Sequence, residues 1–417
     1  MIYIGLLDCN NFFVSCERLF RPDLQNRPTV VLSSNDGCVV ARSQEVKDLG
    51  IPMGVPHFKV RQDFGKANVA IFSSNFQLYR DVSRRVMEVL KQEVGAVEQY
   101  SIDEAFFKID TRAEDVESTL KEIKATIERK VGMPVSIGVA KTKTIAKCAS
   151  KKEKRGSGIC FLADDVWKAY TKEVAIDEIW GIGGKTAAKC HSHNIKTVAD
   201  FLSVDRSQIE NLFGVAGVRL LSELNEISVS KLEVTTDLQH SIMSTRSFSK
   251  TTTKIAVLED SVAYHISHAV EELRSEGALA QSLRVLIKPS RHSDWSLRGG
   301  TLEVILPEPT DDTRVFLKEA RHLVEQLFEK DVPYKKAGII LSLITDKSSR
   351  SESLFAEVGA NSRADKLMET LDGLNTRFGK NTVTLGRLNK GKEWQTSSKF
   401  VSPQYTTAWS DIASVKT

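Results

Sequence analysis

Apolar residues recur with two different periods along the first part of the chain, which predicts both strands and helices. Residues 2–7 form an apolar run typical of a buried strand, whereas residues 10–20 place apolar side chains at helical spacing. Residues 75–94 continue with a longer amphipathic helix pattern. Residues 97–109 predict two strands joined by a hinge at residues 101–104. Strands and helices are therefore expected to alternate in this region.

The alternation continues and indicates one domain built around a central sheet. A helix over about 114–130, a strand over 135–139 and a helix from Thr142 follow the hinged strands. This order is typical of an α/β or α+β domain. Residues 21–72 instead predict short strands and turns punctuated by prolines, so this stretch is expected to be a small insertion within the larger domain.

The second half of the chain changes its pattern twice. Residues 172–232 predict short helices and glycine turns, and a second, separate α/β unit follows from about residue 243. Its predicted helices and strands lie near 254–275 and 311–330, and near 281–288, 301–306 and 337–344, respectively. After residue 345 the chain is polar and poor in regular pattern until about 405–415. We expect this tail to be partly disordered or dependent on a partner.

Composition adds bounds on size and location. The 417 residues exceed one compact core, so about two to four domains are expected. The formal net charge of +4 decides little, because nucleic-acid binding depends on local basic patches. The six cysteines contain no CxxC pair, which argues against a zinc ribbon or a dense disulfide framework. With neither a basic leader nor an apolar run long enough to cross a bilayer, a reduced, cytoplasmic location without membrane contact is expected.

Acidic residues at predicted strand ends are the main candidate chemistry. Asp8 follows the first apolar run, and Asp103 and Glu104 lie in the hinge. Carboxylates that meet at the end of one sheet repel each other unless a cation binds them, and Mg²⁺ favours carboxylate oxygens together with phosphates. Two such ions can assist an in-line phosphoryl transfer. The structural alternative is a turn or a helix cap, the more common role of an Asp after a strand.

Two motifs around these acids resemble the palm motifs of Y-family translesion DNA polymerases. They are Leu-Asp-Cys-Asn-Asn-Phe-Phe-Val-Ser-Cys-Glu at 7–17 and Tyr-Ser-Ile-Asp-Glu-Ala-Phe at 100–106. Further stretches in the same order resemble the UmuC branch of the family, that of the catalytic subunit of DNA polymerase V. These stretches are 20–24, 31–38, 73–75, 180–183 and 405–407. The resemblance covers nearly the whole chain.

The resemblance implies an α+β multidomain fold, a right-hand polymerase with palm, fingers and helical thumb plus a C-terminal little-finger domain. The implied activity is error-prone, template-directed transfer of deoxynucleotides to a primer 3′-hydroxyl, with two Mg²⁺ ions, past damaged bases in the SOS response. The implied bounds are 1–20 and 75–170 for the palm, 21–74 for the fingers, 171–236 for the thumb with a helix-hairpin-helix, 242–346 for the little finger and 347–417 for a partly flexible tail.

Carried over position by position, the resemblance assigns catalysis and metal binding to Asp8, Asp103 and Glu104. The carbonyl of Cys9 would complete one metal site. Phe13 takes the position of the steric gate, a ring that leaves no room for a ribose 2′-hydroxyl. The alternative for Phe13 is an ordinary core aromatic residue. The implied nucleotide-binding residues are Phe12, Phe13, Arg42, Lys47 and Lys154.

Basic residues in two places are candidate contacts to DNA. A lysine cluster that includes Lys141 and Lys143 follows a predicted palm strand, and such a cluster gives salt-dependent binding to a polyanion. The alternative is that the cluster only forms a solvent-exposed surface and does not bind DNA. Arg246 and Lys250 lie where the resemblance implies the first strand of the little finger, and they would track the template backbone without reading its sequence.

A glycine-rich stretch is the third candidate DNA-binding element. Ile-Trp-Gly-Ile-Gly-Gly-Lys-Thr at 179–186 resembles a helix-hairpin-helix turn, with Gly181, Gly183 and Lys185 next to a DNA phosphate. A Walker A motif is rejected, because Ile179 stands where that motif requires glycine. A plain turn between helices is the remaining alternative.

The tail and the resemblance together suggest partners. Family members usually carry Gln-x-x-Leu-Phe for a sliding clamp, and the nearest match here ends in Leu354 and Phe355 but lacks the Gln. The substrates implied are primer–template DNA and dNTP. The resemblance also implies a self-cleaved small SOS subunit, a UmuD-like dimer, and a recombinase filament as partners, with the enzyme associated with the bacterial nucleoid.

Two other classes of function remain alternatives. A two-metal nuclease or cyclase uses similar acidic pairs but requires neither Phe13 nor a template. A DNA-bound scaffold that recruits other proteins requires no acidic residues at these strand ends.

Overall fold

Two units make up the chain in the computed structural model, which describes residues 1–154, 156–234, 238–291, 293–294, 296, 298–350, 360–379, 382–385 and 394–412. The second unit consists of Ser34–Asp36 and Thr236–Lys399. The first consists of Met1–Ser33, Gly37–Thr235 and Phe400–Thr417, so the last part of the chain belongs with its beginning.

Strands and helices alternate in the first unit up to Leu162, as the sequence predicts, and four helices follow among the described residues. In chain order they are β1 (Ile2–Cys9), α1 (Phe12–Phe20), β2 (Thr29–Leu32), β3 (Val39–Arg42), α2 (Gln44–Asp48), α3 (His57–Lys66), β4 (Ala70–Ser73), α4 (Phe76–Val94), β5 (Val97–Gln99), β6 (Glu104–Asp110), α5 (Val116–Val131), β7 (Val135–Ala140), α6 (Lys143–Lys152), β8 (Ile159–Leu162), α7 (Asp164–Tyr170), α8 (Gly184–Ser192), α9 (Val198–Ser203) and α10 (Arg206–Leu224).

The predicted central sheet has five strands in the order β5-β6-β1-β7-β8. β1 pairs antiparallel with both β6 and β7, and β8 joins β7 in parallel. β1 lies in the middle because both of its faces are apolar: Leu7 belongs to one hydrophobic cluster, with residues of α4 and α5, and Leu6 to another, with residues of α6. The hydrophobic burial of both faces is the main force that holds such a strand in the centre of a sheet.

The contact between β7 and α6 depends on one glycine. A Cβ atom added at Gly138 would overlap the backbone of α6. The absence of a side chain therefore lets the helix approach the sheet closely, and this approach places the lysines of α6 next to the end of β1.

The predicted insertion and the predicted helical region are both present. Residues 21–72 contain the small sheet β3-β2-β4 with the short helices α2 and α3. Residues 172–232 contain mostly short helices, although α10 has 19 residues. Gly214 interrupts α10 with a φ of 64°, a left-handed value that glycine adopts without strain.

The second unit contains an antiparallel sheet in the order β11-β10-β12-β9. Its elements are β9 (Ser241–Thr252), α11 (Ile255–Ser275), β10 (Ala278–Pro289), β11 (Gly300–Thr310), α12 (Thr313–Leu327), β12 (Tyr334–Asp346) and α13 (Ala360–Phe378). α11 and α12 share one hydrophobic core with the sheet. In the described part of the chain, every helix is too short or too polar to span a bilayer.

The helix α13 corrects our expectation that the chain lacks regular structure between residues 345 and 405. Ion pairs attach this helix to its unit: the Arg274 guanidinium binds both carboxylate oxygens of Asp372, at 2.6 and 2.8 Å, and Arg350 binds Asp365. Leu367 remains 40% exposed on the same helix. The polar composition concealed this helix, because periodicity arguments follow apolar residues and several of its contacts are ion pairs.

Candidate active site

Strand pairing brings the three candidate carboxylates to the same end of the central sheet. Asp8 lies opposite Glu104 across β1 and β6, and the N–H of Cys9 donates to the Asp103 carbonyl at 2.9 Å. Ser101 orders the hinge between β5 and β6. Its hydroxyl donates to Asp103 Oδ1 at 2.6 Å and accepts a hydrogen bond from the Glu104 N–H at 3.0 Å. The acids that were singled out from their positions in the sequence are therefore neighbours.

Two lysines bind these carboxylates. Lys154 Nζ lies 2.6 Å from Asp8 Oδ1, and Lys147 Nζ lies 3.2 Å from Glu104 Oε2. Lys147 also lies 4.5 Å above the ring centroid of Tyr100, within the range of a cation–π interaction. The sequence predicts a nucleotide contact for Lys154, whereas it marks Lys147 only as a member of the lysine cluster that is a candidate for DNA binding. The available signal for Lys147 was its place in the run of lysines that follows the predicted strand over 135–139.

Burial sets the electrostatics of the acids. It raises the pKa of Asp8, against the opposing effect of Lys154, and it raises the pKa of Glu104, against that of Lys147. Their side chains are 17% and 20% exposed, respectively. Partly buried carboxylates of this kind require a cation, and the oxygens of the three acids suit a hard divalent ion such as Mg²⁺.

The described residues contain no group of three or more His, Cys, Asp or Glu side chains close enough together to bind a metal ion. In this arrangement lysines bind two of the acids instead. Burial raises the pKa of the Cys9 thiol well above its usual range, so among its groups the carbonyl is the one suited to a hard cation. Metal binding by Asp8, Asp103, Glu104 and the Cys9 carbonyl stays a prediction.

A cavity of about 450 Å³ opens at this end of the sheet. Lys47, predicted to bind phosphates, lines it, and its ammonium donates to Asn11 Oδ1 at 2.6 Å. Arg42, which is also predicted to bind the nucleotide, is the last residue of β3, and its guanidinium donates to the Ile51 carbonyl. Acidic and basic side chains therefore line the same cavity, as the binding of a polyanion together with its cations requires. The predicted site residues among them are Asp8, Glu104, Lys47 and Lys154.

Phe13 lies in the first turn of α1 and packs between two aromatic rings of α4. It stacks on Tyr79 with ring centroids 4.6 Å apart and 15° between the planes, and it meets Phe76 nearly edge-on at 5.7 Å. Phe13 is only half-buried, so part of this residue remains accessible to solvent. Phe12 is 3% exposed and belongs to the hydrophobic core, and its place in a nucleotide pocket stays a prediction.

The two lysines predicted to contact DNA near α6 differ in accessibility. Lys141 is 31% exposed and forms an ion pair with Asp164. Lys143 is 5% exposed, and both carboxylate oxygens of Glu98 bind its ammonium, at 2.6 and 2.8 Å. A buried lysine held in this way is not free for a phosphate, so we exclude Lys143 from the proposed DNA surface.

The glycine-rich turn has the open backbone that the sequence predicts. Gly181 has a φ of 93°, which favours glycine, and a Cβ added at Gly183 would meet no atom within 4 Å. α8 begins directly after the turn, and Lys185 is exposed in its first turn. Gly181 and Lys185 line a cavity of about 950 Å³. An anion could therefore approach the N–H groups at this helix N-terminus.

The candidate residues of the second unit lie on β9 or outside the described residues. The Arg246 guanidinium lies 5.2 Å from the ring centroid of Tyr264 and 5.6 Å from that of Trp394. Lys250 is exposed on the same strand. The predicted clamp-binding residues Leu354 and Phe355 lie outside the described residues.

Three models of protein families match ranges of this chain. The model described as the impB/mucB/samB family matches residues 7–151, and the model of the C-terminal domain of that family matches residues 239–354. A domain of unknown function matches residues 365–415. Together these matches include both units.

Similar proteins cover the chain almost completely. Protein UmuC of Salmonella typhimurium is 34% identical over 420 residues, which are 99% of this chain and 100% of that protein. Protein SamB of Salmonella typhimurium is 35% identical over 99% of each. A DNA polymerase IV of Bacillus velezensis is 25% identical over 94% of each.

A solved structure supports the fold. A Y-family DNA polymerase chimera superposes with a TM-score of 0.69 at 22% identity, over 83% of this chain and 100% of that one. The likeness confirms the predicted α+β multidomain fold of a right-hand polymerase.

Proposed function

The chain belongs to the impB/mucB/samB family, and from this premise we propose that it is an error-prone translesion DNA polymerase. It transfers deoxynucleotides to a primer 3′-hydroxyl under the direction of a template, and it continues past damaged bases in the SOS response. The observation that carries the proposal is the meeting of Asp8, Asp103 and Glu104 at the end of the sheet, beside a lysine-lined cavity. Phosphoryl transfer from a triphosphate requires such a combination of acids and bases.

In this proposal the domains keep the bounds expected from the sequence. The palm is 1–20 and 75–170, which contain all strands of the five-stranded sheet. The fingers are 21–74, with the small sheet, and the thumb is 171–236, with the glycine-rich turn. The little finger is 242–346, with most of the antiparallel sheet. A template, a primer end and a nucleotide would meet over the palm.

Two Mg²⁺ ions would be held by Asp8, Asp103 and Glu104 together with the Cys9 carbonyl. Bound there, the ions would neutralise the triphosphate and make the primer hydroxyl a better nucleophile. Lys154 and Lys147 now bind two of these acids. In the loaded enzyme their ammonium groups move to phosphate oxygens, with which they form charge-assisted hydrogen bonds.

The remaining predicted residues select and position the substrates. The Phe13 ring excludes the ribose 2′-hydroxyl by steric conflict, and Lys47 binds the triphosphate. The DNA backbone is bound by exposed basic groups and by the open glycine turn, through Lys141, Gly181, Gly183, Lys185, Arg246 and Lys250. These contacts recognise phosphate, which suits an enzyme that must accept any sequence.

The proposed partners follow from family membership. A UmuD-like dimer and a recombinase filament would activate the enzyme on primed DNA in the bacterial nucleoid. A sliding clamp would bind Leu354 and Phe355, with an affinity reduced by the missing Gln. Each of these contacts can be tested by adding the purified partner to the assay that follows.

Primer extension on a template with an abasic site tests the proposal. The wild-type protein is assayed with magnesium and dNTP beside a variant that carries Asp103→Asn and Glu104→Gln. A matched control carries Asp165→Asn, a surface carboxylate whose side chain is 98% exposed. Extension by the wild type and the control, and not by the double variant, is the expected result.

Other outcomes of this assay would reject the proposal. Degradation of the primer without extension would indicate a two-metal nuclease. Absence of extension, with the small subunit and the recombinase filament also present, would indicate a DNA-bound scaffold. Equal extension by the double variant would show that the acids are not the catalytic group.

A further inference from the structure

Residues 400–411, here called the C-terminal segment, pack on the first unit. The N–H of Ser73 donates to the Phe400 carbonyl at 3.0 Å, and the N–H of Phe400 donates to Ser73 Oγ at 3.0 Å. Tyr405 stacks on Phe20, with ring centroids 4.6 Å apart and 6° between the ring planes. The segment therefore contacts β4, the end of the fingers, and α1, the helix that carries the proposed steric gate.

Ser402 is the buried centre of this contact, at 6% exposure. Its hydroxyl donates to Glu17 Oε1 at 3.1 Å and accepts a hydrogen bond from Asn75 Nδ2 at 3.0 Å. Tyr79 donates its hydroxyl to the same Glu17 oxygen at 2.7 Å. The Glu17 side chain is fully buried, and its Oε2 has no hydrogen-bond partner among the described residues. The two hydrogen bonds to Oε1 are therefore the ones that satisfy this carboxylate.

The same network reaches Phe13 through Tyr79. The Tyr79 ring is fully buried, and Phe13 stacks on it at 4.6 Å. Asn75, which binds Ser402 through its amide nitrogen, also accepts the Leu78 N–H with its oxygen and so caps the helix that carries Tyr79. Because a packed core transmits small displacements, a shift of Tyr79 shifts the ring that rests on it.

We propose that the C-terminal segment determines the specificity of the nucleotide pocket by supporting it through α1 and α4. Ser402 binds Glu17, Glu17 binds Tyr79, and Tyr79 stacks on Phe13. These contacts hold the Phe13 ring in the position in which it would collide with a ribose 2′-hydroxyl. Ser402 is thus a positioning residue that controls the choice between deoxyribonucleotide and ribonucleotide. The inference rests on the proposed function, because it takes Phe13 as the steric gate of a polymerase.

The test compares full-length variants by the ratio of kcat/KM for a dNTP to kcat/KM for the matching rNTP. Ser402→Ala removes the hydroxyl that binds Glu17, and Ser402→Thr keeps one. Tyr405→Ala weakens the attachment of the segment at a separate point. Ser410→Ala is the control, since the Ser410 hydroxyl donates to the neighbouring Asp411 rather than to Glu17. Hydrogen exchange at the Ser73 amide reports whether the segment remains in place, independently of activity.

The expected result is a loss of discrimination of about fivefold for Ser402→Ala, the factor that one hydrogen bond of ordinary net strength supplies. Tyr405→Ala should lose at least as much, while Ser402→Thr and Ser410→Ala should match the wild type. The dNTP kcat should stay within about twofold in each, because the contacts of these residues are with Glu17, Phe20 and Asp411 rather than with Asp8, Asp103 or Glu104.

An unchanged ratio in both Ser402→Ala and Tyr405→Ala would overturn the inference, whether or not the Ser73 amide exchanges faster. A fall in dNTP and rNTP incorporation by the same factor would also overturn it, because it would show a structural role only. A wild-type protein that extends no primer, even with the small subunit and the recombinase filament present, rejects the proposed function, and this inference with it. A wild-type protein that extends primers while the ratio stays constant rejects the inference alone.

Discussion

The replacement of Glu17 by Gln should stabilise the first unit at neutral pH. Burial raises the pKa of Glu17 to about 6, from its usual 4.5, although Tyr79, Ser402 and Arg21 favour the charged form. The folded chain therefore holds the Glu17 proton more tightly than the unfolded chain does. Stability from this group is fully present below about pH 4.5 and is lost as the pH rises through about 6.

The magnitude follows from the two pKa values. Each tenfold difference in proton affinity corresponds to about 1.4 kcal/mol. A difference of about 1.5 between the pKa values of the folded and unfolded chains therefore corresponds to about 2 kcal/mol at pH 7.5. Gln has nearly the same shape, cannot lose a proton, and keeps an oxygen for the hydroxyls of Tyr79 and Ser402. Glu17→Gln should therefore raise the free energy of unfolding by up to about 2 kcal/mol at pH 7.5. The gain should shrink toward zero near pH 4.5.

Hydrogen exchange at the buried amides of β1 measures this difference within the first unit alone. Wild type and Glu17→Gln are compared at several pH values, with Glu122→Gln as a control on the exposed face of α5. A less stable Gln variant at pH 7.5 would refute the reasoning, because it would mean that the hydrogen bonds to ionised Glu17 outweigh the cost of its burial. An equal gain for the control would attribute the effect to net charge.

Three further predictions follow from the site and the core. Phe13→Ala should lower discrimination against ribonucleotides by about tenfold or more, measured by single-nucleotide insertion, and an unchanged ratio would remove Phe13 from the gate role. Lys154→Met should raise the KM for dNTP about tenfold in steady-state kinetics, since it removes a charge-assisted hydrogen bond to the triphosphate; an unaltered KM would place Lys154 outside the pocket. Gly138→Ala should destabilise the first unit by about 3 kcal/mol in thermal denaturation, because its Cβ would overlap the backbone of α6. Gly65→Ala, in a helix with open space around this position, should instead be neutral or slightly stabilising. Equal destabilisation by the two substitutions would contradict the packing argument.

The sequence predicted those parts of the molecule that local pattern determines. The apolar run before Asp8 became the central strand β1, and the hinge at Ser101 placed Asp103 and Glu104 beside it. Strand and helix periods are local properties, so their positions could be read from the chain. The resemblance of short motifs indicated the family, because those motifs surround the acids.

What the sequence did not reveal depends on contacts between distant residues. Lys143 looked like part of a basic surface, but Glu98 on β5 binds it in a buried position. Glu17 and Ser402 are 385 positions apart, and neither is unusual in its local pattern. Charge and composition do not say which side chains a fold will bury together, so both features required the three-dimensional structure.

The return of the C-terminal segment to the first unit also bears on how the protein is made. The N-terminal part of a chain leaves the ribosome first, and domains generally fold in the order in which they are synthesised. Glu17, Asn75 and Tyr79 are therefore synthesised long before Ser402, and the first unit must wait through the whole second unit for the residue that satisfies its buried carboxylate. During that interval the Glu17 carboxylate lacks the hydrogen bond that Ser402 donates in the complete chain. If Ser402 supports Phe13 as we propose, this support is completed only after Asp8, Asp103 and Glu104 have been synthesised.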